Sequence, residues 1–223
     1  MENSMSLREN FDLKLKQLNE KVLELGGLAE NAFIKSINAM ENKDIESAIG
    51  VIDEDSYIDH IEEEINDLAI ILIAREAPVA VDLRRIIVAI KIASDLERVA
   101  DYAVNIAKSV IRIGEADHKV PVDSLQKMAK IAKEMLSLSF KAFIEEDVVL
   151  AKKIADMDDE IDKLYGETIK TFLQLSDDTK QDFMQITQLS FIARYIERIG
   201  DYATNISEGV FYIVKGIRYE LNN

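Results

Sequence analysis

The chain has 223 residues, 48% of them hydrophobic, enough to build one large or two small domains around a substantial core. Its 42 acidic and 27 basic residues leave a formal charge of -15, a surface that repels nucleic acid and anionic lipid. Disulfides and thiolate metal sites are excluded by the absence of cysteine, and a histidine-rich site by the presence of only His60 and His118.

From the N-terminus, MENSMSLREN is polar and carries no signal-peptide core. Apolar residues then recur at helical spacing almost throughout. The pattern predicts a first helix from Leu7 to Glu41, with Gly26-Gly27 a soft spot, and a second from Asp44 to Glu76. Within the second, the apolar run Leu68 to Ala74 is far too short to cross a bilayer, so the expectation is a cytoplasmic protein without direct membrane insertion. Pro78 opens a turn, and a third helix runs to Ile113. Gly114 and residues 115–121 form the one clear linker, after which Asp123 or Ser124 is placed to cap a fourth helix. A fifth starts near Asp147, and Ser176-Asp177-Asp178 separates it from a sixth.

The chain also repeats itself. DLERVADYAVNIAKSVIRI at 95–113 returns as YIERIGDYATNISEGVFYI at 195–213, matching at Glu97/Glu197, Arg98/Arg198, Asp101/Asp201, Tyr102/Tyr202 and Asn105/Asn205. The second helices match at an offset of 103 residues, among them Asp44/Asp147, Asp55/Asp158 and Asp59/Asp162. The third helices match at an offset of 100, so the second copy has the shorter connection between its second and third helices. A repeat of this length implies two copies of one unit. The expected fold is therefore all-α: two tandem three-helix bundles related by internal duplication, residues 1–115 and 116–223, with six helices each about 45 Å long.

The repeated acids carry the functional signal, because a core can repeat with any apolar choice. Residues four apart share a helix face, so Glu97 and Asp101 project side by side, as do Asp55 and Asp59. An antiparallel helix pair brings these two pairs together, and the second copy repeats the arrangement with Asp158, Asp162, Glu197 and Asp201. Four carboxylates in one place repel, and a proton or a cation has to neutralise them. Arg98 and Arg198 stand beside the pairs as ion-pair partners. Oxygen-only ligation suits hard ions such as magnesium, calcium, manganese or ferric iron, whereas a structural zinc site usually includes Cys or His. Asp95 has no acidic counterpart, since Tyr195 takes its place, and is assigned to the solvated face. The competing class is a carboxylate-bridged, ferroxidase-like metalloenzyme. Such sites use Glu-x-x-His pairs. Here His60 directly follows Asp59 and faces elsewhere, and His118 lies in the linker. No nucleophile triad and no glycine-rich phosphate loop is present. A purely structural helical adaptor without metal is the third alternative.

RYIERIGDYATNISEGV, Arg194 to Val210, resembles the hallmark ERIGDHATNIAE of the PhoU family, with Tyr202 where a His is common. The stretch from Ala74 to Ile86, with Pro78, Asp82, Leu83 and Arg84, is similar to the family's loop entering the third helix, and LGGLAE at 25–30 to its first-helix motif. The resemblance implies paired three-helix bundles bearing metal clusters held by E(D)-x-x-x-D motifs, which fall here on Asp55, Asp59, Glu97 and Asp101, and on Asp158, Asp162, Glu197 and Asp201. Iron, manganese, magnesium or zinc are the ions it implies. It further implies a non-enzymatic homodimer that restrains phosphate-starvation signalling and modulates high-affinity phosphate import. The implied partners are the ATPase subunit of a phosphate ABC importer and a sensor histidine kinase. Pro78 and Asp82 also have a local role, as turn former and as a charge suited to the positive end of a helix.

Overall fold

Helical periodicity carries through the whole chain. The computed structural model describes residues 7–115, 117–118, 120–174 and 180–221, with the side chains of 7 and 180–182 left aside, and the expected separator Ser176-Asp177-Asp178 lies outside them. Six helices account for nearly all of it: α1 (Leu7–Asn42), α2 (Ile45–Glu76), α3 (Ala80–Ile113), α4 (Asp123–Glu145), α5 (Val148–Gln174) and α6 (Lys180–Lys215). The fold is all-α and internally repeated.

The turns repeat along with the helices. Lys43 and Glu146 each adopt a left-handed backbone conformation, with φ of 56° and 51°. An aspartate follows each of them. Asp44 accepts a hydrogen bond from the Ser47 amide at 2.9 Å, and Asp147 accepts from the Val149 amide at 2.8 Å. These carboxylates satisfy amide groups that the first helical turn leaves without partners. The closing turns match too: Gly114 and Gly216 end α3 and α6 at φ of 76° and 71°, each donating its amide back to a carbonyl four residues earlier. Such positive φ angles strain any residue with a Cβ, so glycine fits here. The fourth helix departs from the expectation. Its cap position is Val122, which offers no side-chain bond, and Asp123 is instead the first helical residue, where its charge still faces the positive helix end.

Gly26-Gly27 does not break α1. A Cβ on Gly26 would lie 2.9 Å from the ring of Phe140, so the missing side chain lets α4 approach α1. Gly27 has open space around it.

α1, α2 and α3 pack on one another, as do α4, α5 and α6. The two sets meet through α3 and α6, with a smaller contact between α1 and α4. Val88 meets Gly209, and the Tyr102 ring lies 5.7 Å from that of Tyr195, so α3 and α6 run antiparallel. Fully buried side chains, including Leu18, Leu25 and Phe33 of α1, Ile65 and Leu72 of α2, and Ile92, Leu96 and Ile106 of α3, fill the space between the helices. α3 and α6 are therefore at once the inner helices of the molecule and the carriers of Glu97, Asp101, Glu197 and Asp201, the other repeated acids lying on α2 and α5.

Candidate functional site: two carboxylate clusters

The antiparallel pairing of α2 with α3 brings Asp55 and Asp59 to Glu97 and Asp101. Burial, reinforced by Asp59 and Asp101, holds the Asp55 carboxyl above the usual carboxylate range, with Lys108 opposing. Burial again, then Asp101, Asp59 and Glu62, raises that of Glu97 against the pull of Arg98. Each carboxyl thus senses charges on both helices. In the second copy, burial together with Asp201 and Asp162 raises Glu197, and burial with Asp162 raises Asp201, in both cases against Arg198. Raised carboxyl values mark charge that is crowded and poorly solvated.

The two clusters are similar in plan and unequal in burial. The side chains of Glu97 and Asp101 are 24% and 39% exposed, and those of Glu197 and Asp201 are 12% and 25% exposed. A cause lies under the second cluster. Gly200 stands where the first copy has Ala100, and a Cβ on it would lie 3.1 Å from Asp158 Oδ1 and 3.1 Å from Ile161 Cδ1. Without that Cβ, Asp158 sinks against α6 and becomes buried.

One arginine in each cluster ion-pairs directly with two of its acids. Arg98 Nη1 donates to Asp101 Oδ2 at 2.8 Å, and its Nε lies 3.4 Å from Glu97 Oε2. Arg198 repeats this at 2.6 Å to Asp201 and 3.3 Å to Glu197. Glu197 Oε2 is buried yet accepts no hydrogen bond. Among the described residues no three acids converge tightly enough, as they stand, to ligate an ion. The donor set nevertheless fits a hard cation. It is all oxygen, carried on facing helices, partly desolvated, short of positive charge, and in the second copy includes a buried oxygen with spare acceptor capacity. Neither histidine joins the clusters: His60 Nε2 lies 3.4 Å from Glu64, and His118 Nε2 3.1 Å from the Met40 carbonyl.

Asp95 is not on the solvated face. It is 8% exposed, and its Oδ2 has no hydrogen-bond partner. Burial pushes its carboxyl up to about 6, with Lys91 opposing and Glu208 adding to the shift. Tyr202 feels its charge across the α3–α6 seam. The Tyr195 that replaces an acid in the second copy is part of the same seam, since its ring meets Tyr102. That aromatic substitution was the available signal that position 95 faces the other half.

Asp82 goes further than its local role. It is 4% exposed, takes Arg8 Nη1 at 2.7 Å and Arg85 Nη1 at 3.2 Å, and Arg85 continues to Glu146 at 2.7 Å. This chain of charges ties α1 and α3 to the α4–α5 turn. Arg85 to Asp82 is readable as a pair three apart on a helix, but the Arg8 and Glu146 contacts are not.

With this geometry in place, the known proteins agree. The family model of the PhoU domain matches twice, at residues 22–110 and 125–210. A relative from Clostridium acetobutylicum, named a phosphate-specific transport system accessory protein PhoU homolog, is 35% identical over 97% of this chain and 99% of its own. A relative of the same name from Rhizobium meliloti is 37% identical over 92% of this chain and 87% of its own. The crystal structure of PhoU from Pseudomonas aeruginosa superposes with a TM-score of 0.89 at 28% identity, covering 93% of this chain and all of that one. The PhoU regulatory protein of the phosphate transport system from Streptococcus pneumoniae gives 0.88 at 31% identity, over 94% and 99%.

Proposed function

The chain belongs to the PhoU family, and from that premise we propose that it is the accessory protein of a phosphate-specific transport system, restraining the phosphate-starvation response when phosphate is plentiful. It acts without catalysis, as a cytoplasmic homodimeric adaptor between the importer's ATPase subunit and a sensor histidine kinase. Through the same contacts it modulates high-affinity import. Metal ions, of iron, manganese, magnesium or zinc, are held by Asp55, Asp59, Glu97 and Asp101 in one half and by Asp158, Asp162, Glu197 and Asp201 in the other. A bound ion supplies the positive charge that lets these carboxylates stay ionised together.

The observation that carries the proposal is the near full-length similarity to relatives named as accessory proteins of phosphate-specific transport. The paired carboxylate clusters and the strongly acidic surface agree with it, since such a surface disfavours DNA and leaves protein contacts as the route of control. Among the described residues no helix is long and apolar enough to cross a membrane, so contact with an importer would run through its exposed subunits.

The test is a deletion strain carrying a phosphate-responsive reporter, with and without the importer's ATPase subunit. Loss of this protein is expected to switch the reporter on in phosphate-rich medium, and to do so only when the importer and the kinase are present. Normal reporter output together with normal phosphate uptake in the deletion strain would reject the adaptor role.

A further inference from the structure

Building on the cation sites proposed above, we infer that Arg98 and Arg198 are resident counter-cations that an incoming metal ion must displace. Each arginine directly follows the glutamate of its cluster and precedes the aspartate by three residues, so one guanidinium reaches both carboxylates. The two copies make the same contacts, with Nη1 on the aspartate and Nε towards the glutamate. A contact of that kind, kept in both halves of a duplicated chain, has a shared cause. Four crowded carboxylates require positive charge, and the guanidinium is the cation the chain sets in direct contact with two of them in each cluster.

Displacement follows from geometry. The Asp201 oxygen that accepts Nη1 at 2.6 Å is one that a hard ion would need at about 2.0–2.6 Å. The two cations would then share one carboxylate oxygen, separated by no more than the sum of the two distances, with no water between them to screen their repulsion. The arginines have a way out. Their side chains are 54% and 38% exposed, so each head group can swing into water on its flexible stem. Their position also accounts for the failure of the acids to converge on one point: each guanidinium draws Asp101 or Asp201 to itself. Ion entry and arginine release become one event, which changes the charge displayed on the outer faces of α3 and α6.

Manganese is a suitable probe. Wild type, R98Q, R198Q and the double variant are titrated with Mn²⁺ by calorimetry at one pH and salt concentration, and circular dichroism establishes that each is folded. R75Q, about 24 Å beyond Asp59 along α2, controls for the loss of a distant positive charge. Each single variant is expected to tighten one class of sites at least tenfold, the double variant both, and R75Q neither. In wild type, adding diamagnetic Mg²⁺ should abolish the hydrogen-bonded Nη1–H resonances of Arg98 and Arg198. Mn²⁺ binding that is unchanged or weaker in the arginine variants overturns displacement while leaving the cation sites standing. A supporting arginine would give that weaker binding. No Mn²⁺ binding by wild type or by any variant overturns the cation sites themselves, and displacement with them.

Discussion

Asp95 sets the most testable energetic expectation at the scale of single residues. Its carboxyl is buried in the α3–α6 seam near Glu208 and Tyr202, and Lys91 supplies the opposing charge. Its folded value, about 6, lies above the unfolded 3.8. The folded state therefore holds the proton more tightly. Asp95 contributes most to stability below the unfolded value, and that contribution is lost as pH rises through about 6. The difference between 3.8 and about 6 corresponds to at most about 3 kcal/mol. Asp95→Asn, which keeps the shape and removes the charge, is expected to stabilise the protein at pH 7.5 by about 1–3 kcal/mol, with the gain shrinking as pH falls from 6 to 4. Denaturant melts at pH 4, 6 and 7.5 measure it, and a gain that does not depend on pH would show that the charge is not what costs stability. Asp82 is the contrasting case: as deeply buried, but held by Arg8 and Arg85. Burial is tolerable for an acid that has partners and costly for one that lacks them.

At the scale of the helices, the same local chemistry punctuates both copies. A left-handed residue followed by a capping aspartate opens α2 and α5, and a glycine at positive φ closes α3 and α6. The two adjacent glycines of α1 separate what helical propensity dictates from what packing dictates. Gly27 is exposed, with nothing within 4 Å of an added Cβ. Gly27→Ala should therefore raise stability by about 1 kcal/mol, the helix-propensity difference between the two residues. Gly26→Ala gains the same propensity but drives its Cβ to 2.9 Å from Phe140. Overpacking costs about 1–3 kcal/mol, so the net change is expected to be zero or a loss. Thermal melts of the two variants check this, and equal stabilisation by both would mean that the α1–α4 contact yields freely.

For the whole molecule, the two sets of three helices and the seam between them set the cooperativity. We propose that residues 1–115 and 116–223 are separate folding units. Each unit would leave one face of α3 or α6 uncovered when alone, because these two helices form an extensive contact between the halves. The separated halves are expected to be helical, to unfold at lower temperature than the intact chain, and to recombine on mixing into a one-to-one complex. Circular dichroism and size-exclusion chromatography read this out. A half that is unfolded alone and folds only with its partner would show a single cooperative unit. The Asp95 Oδ2, buried in the seam without a hydrogen bond, adds to the expectation that the seam opens before either bundle melts.

What the sequence determined by itself is what repeats or alternates along it. Helical periodicity gave six helices, because one apolar face recurring every three to four residues can be satisfied in only one secondary structure. Duplication gave the two bundles and the two sets of acids, because Asp55 and Asp59 or Glu97 and Asp101 share a face by spacing alone. The helix-terminating roles of Pro78 and Gly114 were equally local and equally legible. Only the tertiary structure decided which faces the halves turn towards each other. It buried Asp95 against Tyr202, carried Arg8 to Asp82 and Arg85 to Glu146, seated Asp158 over Gly200, and turned Val122 rather than Asp123 into the cap of α4. Most of these contacts join residues far apart in the chain, and spacing along one helix cannot encode them. They depend on how two helices cross and on which side chain is small enough to let them meet.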